Sequence, residues 1–341
     1  MQKYRQVLTV LFDTISKSSL YSGTCYYRKN LSDHISISQN SIVITFERTK
    51  KDNPEELLNT QNSILRYYLQ KALCFYLSVE GSIPGVKDIT FTCNNKTSVV
   101  EHERFTKNWN NCKVWTCLDP EAARIIFEGP EGKPFYIIMS HFLKAQLDHF
   151  SHDRFRSSWS CLNGLYTYLD GLHNEGYRSE QKKISSLLQI IDDNELPESL
   201  TKIESLDDDT FWKRLNWYCI LNSYSMGEFR QLQSGKYSDA MLIGLLCRHR
   251  AVFAEEIKSD DDVWDKLQQK SEERKAVPKD RLKFLVCKYC YQVRNKSFHA
   301  ERAYPLFIIS EDIETGIEKT LTEIILLLVK ELFEVYAGKA R

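Results

Sequence analysis

The sequence lacks the features that mark several large classes of protein. No apolar run approaches the roughly 18 residues of a membrane-spanning helix, and the N-terminus has no signal-peptide cleavage pattern. The sequence contains no glycine-rich phosphate loop, GxSxG elbow or HExxH pair. Nucleoside-triphosphate hydrolysis, dinucleotide redox chemistry and serine hydrolysis are therefore unsupported. We expect no cofactor, no bound metal and no membrane partner.

Neither sign of charge is in excess, and the cysteines form no framework. The 341 residues include 46 Lys and Arg against 46 Asp and Glu, so any RNA contact must be local or brief. Ten cysteines are scattered, and the one CxxC pair, Cys287 and Cys290, has no second pair that would complete a zinc site. Free thiols fit a reducing compartment, so we expect a cytoplasmic protein.

The first third of the chain mixes strand-like and helix-like patterns. Residues 41–46 and 86–92 are rich in β-branched and aromatic side chains, which predicts two strands. Residues 135–139, which follow a Gly- and Pro-rich turn, are also strand-like. We therefore expect an α+β domain of unknown role over residues 1–135.

Helical patterns surround those strands and then take over. The apolar residues of 1–19 predict a helix, and a second helix is expected from Pro54 to Gly81. From about residue 136 onward the sequence shows helical patterns alone. An all-helical domain is therefore expected over residues 136–341.

The most informative segment is Arg294-Asn295-Lys296-Ser297-Phe298-His299. It follows apolar residues at helical spacing from Leu282 onward, and Pro305 limits how far a helix can continue. A guanidinium can grip two phosphate oxygens, and an imidazole can exchange a proton near neutral pH, so the pair suits phosphodiester chemistry. Five residues correspond to about 140° around a regular helix, however. The two side chains could meet where the helix ends or bends, or across a second subunit.

Spacing alone leaves a second interpretation open for the segment from Arg294 to His299. Arg294 and Lys296 could form a solvated basic helix end, with His299 capping the last carbonyls.

A second basic cluster, Arg248-His249-Arg250, also has two interpretations. It could approach RNA phosphates, or it could interact with a helix dipole.

The order Arg-Asn-x-x-x-His between two long apolar helices resembles the Arg-x(4–6)-His signature of HEPN domains. The resemblance implies an all-helical domain that dimerises and cleaves RNA without a metal, as in toxin–antitoxin, CRISPR and anti-phage systems. It implies His299 as general acid or base, Arg294 as the group that neutralises the phosphorane, and Asn295 as the residue that positions His299 or the phosphate by a hydrogen bond. Some members have a Tyr two residues beyond the His, where this chain has Glu301.

The partners that follow are an RNA substrate and a second copy of the chain that completes a composite active site. The basic side chains expected to contact RNA are Lys296, Arg302, Arg248 and Arg250. Residues 1–135 would then sense a trigger or bind a regulatory protein.

Two further hypotheses belong to other classes of function. In the first, the chain is a non-catalytic helical module that binds nucleotide or protein and keeps the motif as a basic dimer interface. In the second, His149, His152 and Asp153 hold the metal of a phosphohydrolase.

Overall fold

The structure is a computed structural model, and it describes the chain except for one long stretch and several short ones. The described residues are 3–28, 31–59, 63–109, 112–129, 132–173, 179–206, 211–215, 265, 269, 277–298 and 313–339.

Six antiparallel strands form one sheet in the N-terminal third of the chain. The strands are β1 (Tyr4–Phe12), β2 (Ser19–Arg28), β3 (Leu31–Ser38), β4 (Ser41–Arg48), β5 (Val86–Cys93) and β6 (Lys96–Val99). Their order in the sheet is β2-β3-β4-β1-β5-β6. The strands predicted at residues 41–46 and 86–92 are confirmed as β4 and β5.

The prediction of a helix over residues 1–19 is wrong, because this segment supplies the central strand β1. Leu8, Val10 and Phe12 alternate toward the buried side, which is the period of a strand. Val10 pairs with Ile42 of β4 on one side and with Ile89 of β5 on the other. These two pairings bury β1 so thoroughly that they override its local helical pattern.

The helices of the first half follow or interrupt the sheet. They are α1 (Pro54–Asn59), α2 (Ile64–Glu80), α3 (Glu103–Thr106), α4 (Pro120–Ala123), a 3₁₀ turn (Arg124–Phe127), α5 (Gly132–Leu147) and α6 (Ser151–His173). The helices described beyond them are α7 (Glu180–Asp193), α8 (Pro197–Glu204), a 3₁₀ turn (Trp212–Arg214), α9 (Pro278–Phe284), a π-helical segment (Leu285–Tyr289), α10 (Cys290–Phe298) and α11 (Ile313–Lys339).

Helix α2 has clear start and stop signals. The Ser63 hydroxyl accepts the Arg66 N–H at 3.3 Å, which caps the N-terminus. Gly81 ends the helix with a φ of 76°, a left-handed conformation that glycine adopts without strain. The single helix expected from Pro54 to Gly81 is thus two helices, with α2 as the longer one.

The strand-like prediction for residues 135–139 is also wrong, because these residues lie inside α5. Phe135, Ile138, Met139 and Phe142 share the buried face of that helix at a spacing of three and four residues. Among the described residues, the one β-type pairing outside the six strands is an isolated bridge between Ser82 and Lys113. The structure therefore confirms an α+β part followed by a mainly helical part.

The chain separates into two compact units. The sheet unit comprises Met1–His149, Ser160–Leu165 and Leu332–Arg341, and the helical unit comprises Phe150–Trp159 and Tyr166–Glu331. The sheet unit continues past residue 135, because α5 belongs to it. In the helical unit, the core takes in α9, the π-helical segment and most of α11, through residues such as Leu285 and Ile325.

Candidate functional site

Arg294 lies in α10, where its side chain contacts a neighbour in sequence and a residue far away in the chain. Its Nη1 donates to Oδ1 of Asn295 at 2.8 Å. The same nitrogen lies 3.5 Å from Oε2 of Glu180, the first residue of α7. The Arg294 and Glu180 side chains are 21% and 31% exposed, so solvent reaches both partners of this ion pair. The guanidinium is held between a carboxamide and a carboxylate.

A buried phenol supports the other oxygen of the Glu180 carboxylate. The Tyr166 hydroxyl donates to Oε1 of Glu180 at 3.4 Å, and Tyr166 itself has no exposed surface. Burial raises the pKa of Tyr166, the negative charge of Glu180 raises it further, and the positive charge of Arg294 opposes both effects. Tyr166 therefore stays protonated at neutral pH and serves as a donor to Glu180.

Aromatic rings line one side of this arrangement. The Arg294 guanidinium carbon lies 6.0 Å from the centroid of the Tyr291 ring, at the edge of cation–π range. The ring centroids of Tyr291 and Trp159 lie 6.3 Å apart. Those of Trp159 and Tyr166 lie 6.4 Å apart in an edge-to-face arrangement. Trp159 is almost completely buried, so the rings that pack around it are held in place by the core of the helical unit. We call Arg294, Asn295, Glu180, Tyr166 and Tyr291 the Arg294 cluster.

The backbone before the cluster departs from a regular α-helix. Residues Leu285–Tyr289 form a π-helical segment between α9 and α10, with Leu285, Val286 and Cys287 buried. π-Helical turns cost stability relative to α-helix and occur frequently at functional sites. The segment ends one residue before α10, so it helps set the direction from which Arg294 projects.

The structure brings two of the predicted catalytic residues together, Arg294 and Asn295. The third, His299, lies outside the described residues, as do Arg302, Arg248 and Arg250. Lys296 lies in α10, one residue after Asn295. Helix α10 continues through Phe298, so the chain is still helical four residues after Arg294.

The described residues do not support the hypothesis of a metal site at His149, His152 and Asp153. Within the described ranges, no group of three or more His, Cys, Asp and Glu side chains is placed to hold a metal ion. His152 instead approaches Glu318 of α11, with 3.3 Å between Nδ1 and Oε1.

Sequence reasoning missed Glu180 and Tyr166. Glu180 lies 114 residues before Arg294, and no local pattern links two such distant positions. The helix N-terminus at Ser179 and Glu180 is visible in the sequence, since an acidic residue in a first turn is favourable there. That signal predicts a helix start and not a partner for Arg294.

Lys71 is a second polar group that no sequence pattern singled out. It lies in α2 of the sheet unit and is buried, and its Nζ donates to the Ile126 carbonyl at 2.7 Å. Its ammonium lies 4.9 Å from the Tyr67 ring centroid and 5.6 Å from that of Tyr136. Burial lowers the pKa of Lys71. The hydrogen bond from Lys71 to the carbonyl in the 3₁₀ turn compensates for the burial of the ammonium group.

Within the part of the chain that the structure describes, no helix is both long and apolar enough to cross a membrane. Comparisons with protein-family models, with curated proteins and with solved structures returned no match.

Proposed function

We propose that this chain is a metal-independent endoribonuclease that cleaves RNA by attack of a 2′-hydroxyl on its own phosphodiester. The observation that carries the proposal is the Arg294–Asn295 pair, 2.8 Å apart and partly open to solvent, at the position where the sequence resembles the HEPN motif. The π-helical segment just before α10 adds support, since such segments are common at functional sites.

The chemistry assigns one task to each motif residue. His299 takes the proton from the 2′-hydroxyl, the new bond forms between O2′ and phosphorus, and the bond from phosphorus to O5′ breaks. A protonated imidazole then supplies the proton that the departing 5′-oxygen needs. Arg294 neutralises the charge that develops on the phosphorane, and Asn295 holds the guanidinium in place. The products are a 2′,3′-cyclic phosphate and a 5′-hydroxyl.

The proposal includes a homodimer whose two motif copies share one composite cleft. A second copy would supply the His299 that faces a given Arg294, which removes the difficulty of about 140° of helical rotation. Lys296, Arg302, Arg248 and Arg250 would contact the RNA backbone. Residues 1–135 would bind a trigger or a regulatory protein, and the setting would be a prokaryotic defence or toxin-type system.

A second candidate function is a non-catalytic HEPN-like module that binds nucleotide or protein. The observation in its favour is Glu180, whose carboxylate lies 3.5 Å from the Arg294 guanidinium and already balances its charge. A structural ion pair of this kind needs no phosphate. This candidate predicts stable complexes and no cleavage.

The test is incubation of the purified protein with mixed RNA in EDTA. Wild type is expected to produce fragments with 2′,3′-cyclic phosphate ends and to leave DNA intact, because DNA lacks the nucleophile. Arg294→Ala and His299→Ala are expected to lose cleavage. Lys319→Ala is the matched control, since it removes one positive charge from α11 of the same helical unit.

Equal behaviour of wild type, Arg294→Ala and His299→Ala would end the ribonuclease proposal. Absent cleavage together with tight RNA or nucleotide binding that Arg294→Ala weakens would favour the second candidate. Circular dichroism of each variant separates loss of activity from loss of fold.

A further inference from the structure

A cavity of about 280 Å³ lies in the sheet unit, beside helix α2. Its apolar floor is formed by Leu69 and Leu73 of α2 and by Ile89 of β5, all of which are buried. The volume lies near the lower end of the range for small-molecule sites. The cavity can therefore accept a compact apolar group.

The polar groups of the cavity lie at its rim and carry one positive charge. Arg66 and Gln70 lie one helical turn apart on the same face of α2 as the leucines, and Trp109 forms another part of the wall. Arg66 and Trp109 are half-buried, and Gln70 is exposed. Among the described residues, the Arg66 guanidinium forms no ion pair with a carboxylate.

This combination of floor and rim selects a class of ligand. An apolar floor favours a hydrocarbon or ring, and a single guanidinium at the rim favours one anionic group at its end. A guanidinium matches the planar carboxylate with two parallel hydrogen bonds, and the Gln70 carboxamide can donate one more. One positive charge balances a carboxylate and leaves a doubly charged phosphate under-compensated.

We propose that this cavity binds a small monocarboxylate with a compact apolar body, with the carboxylate on Arg66 and the body against Leu69, Leu73 and Ile89. The site is independent of the Arg294 cluster. It gives the sheet unit a ligand of defined chemistry, which neither the sequence pattern nor the proposed ribonuclease activity assigns.

The test is calorimetric titration of the full-length protein with octanoate, with octan-1-ol as the uncharged counterpart of similar size. Octanoate is expected to bind at one site, and octan-1-ol to bind about tenfold more weakly because it cannot pair with Arg66. Arg66→Gln is expected to weaken octanoate about tenfold, to the level of the alcohol. Arg5→Gln is the matched control, because Arg5 is an exposed arginine of the same unit that does not line the cavity.

A second measurement locates the bound molecule. The indole N–H resonance of Trp109, assigned by its loss in Trp109→Phe, is expected to shift on addition of octanoate. Absence of saturable binding, equal affinity for the acid and the alcohol, or equal effects of Arg66→Gln and Arg5→Gln would each overturn the proposal. So would octanoate binding that leaves the Trp109 resonance unmoved. RNA cleavage enters none of these readouts, so the ribonuclease proposal is tested separately.

Discussion

If the proposed ribonuclease function holds, Glu180→Gln is expected to strengthen RNA binding at the Arg294 cluster, although it changes no residue of the segment from Arg294 to His299. The Glu180 carboxylate lies 3.5 Å from Nη1 of Arg294 and competes with any phosphate for the guanidinium. Glutamine keeps the length of the side chain and an acceptor for the Tyr166 hydroxyl, which donates to Glu180 at 3.4 Å. The substitution therefore removes the charge and preserves the shape.

The magnitude follows from the distance and the exposure of the two groups. Two unit charges 3.5 Å apart attract each other by about 1 kcal/mol in water and about 5 kcal/mol at an effective dielectric constant of about 20. Arg294 and Glu180 are 21% and 31% exposed, so screening brings the pair toward the values of exposed ion pairs, at most about 1 kcal/mol. Loss of the ion pair therefore corresponds to a gain in RNA affinity of at most about fivefold.

The assay is fluorescence polarisation with a 2′-O-methyl RNA, which lacks the nucleophile and so is not consumed. Glu323→Gln is the matched control, because it removes a negative charge from the same helical unit at a carboxylate that pairs with Lys202. The gain from Glu180→Gln is expected to vanish in an Arg294→Ala background, since the two residues are then uncoupled.

Two results would refute this reasoning. One is an equal gain for Glu180→Gln and Glu323→Gln, which would show a general charge effect. The other is a gain that persists in the Arg294→Ala background, which would show that Glu180 acts on RNA without Arg294.

Two further predictions concern stability. Gly132→Ala is expected to destabilise the sheet unit by about 1–3 kcal/mol in urea unfolding, because a Cβ there would lie 2.6 Å from the Ile126 carbonyl oxygen, which is backbone and cannot swing away. Gly171→Ala in α6 should instead stabilise by up to about 1 kcal/mol, since nothing lies within 4 Å of its Cβ position; a loss at both positions or at neither would contradict the geometry. Burial raises the pKa of Glu331 above its ordinary value of 4.5, against hydrogen bonds from Ser199. The folded state then holds this proton more tightly than the unfolded state, so stability should fall as pH rises from about 4.5 through the folded pKa. Denaturation curves of Glu331→Gln should lack that fall, and an identical pH profile for both proteins would contradict it.

Local sequence patterns predicted correctly those helices and strands whose conformation in the fold matches their own residue propensities. Strands β4 and β5 are rich in β-branched residues, and alternate residues of each strand are buried, as expected for a strand with one face on the core. The end of helix α2 at Gly81 was also predicted, because a terminating glycine is a signal within the segment itself. The start of α2 at the Ser63 cap was not predicted.

Local patterns failed where distant contacts decided the conformation. Gln6 lies on the buried side of β1. A polar residue at such a position breaks the alternation of apolar and polar residues by which a strand is predicted from sequence. The Gln6 side chain is satisfied there by the Lys50 carbonyl at 3.1 Å, the Asp52 carboxylate at 3.2 Å and the Asp52 N–H at 2.9 Å. These partners lie more than 40 residues away, so no short window could reveal them.

The candidate site divides in the same way. Arg294 and Asn295 could be identified from the sequence because the motif that contains them spans only six residues. The structure places their side chains in hydrogen-bond contact. Glu180 of α7 contacts Arg294, and Tyr166 of α6 donates a hydrogen bond to Glu180. Only the packing of the helical unit brings these two helices to α10.

The sequence by itself determined which segments are apolar, that a helix ends at Gly81, and that a cation and a carboxamide stand together after a buried helix. The tertiary structure decided that residues 4–12 are a central strand, that residues 135–139 are helical, and that Arg294 faces a carboxylate. The reason is physical: propensity and capping act over a few residues, whereas burial, strand pairing and charge compensation depend on whichever groups the folded chain brings close.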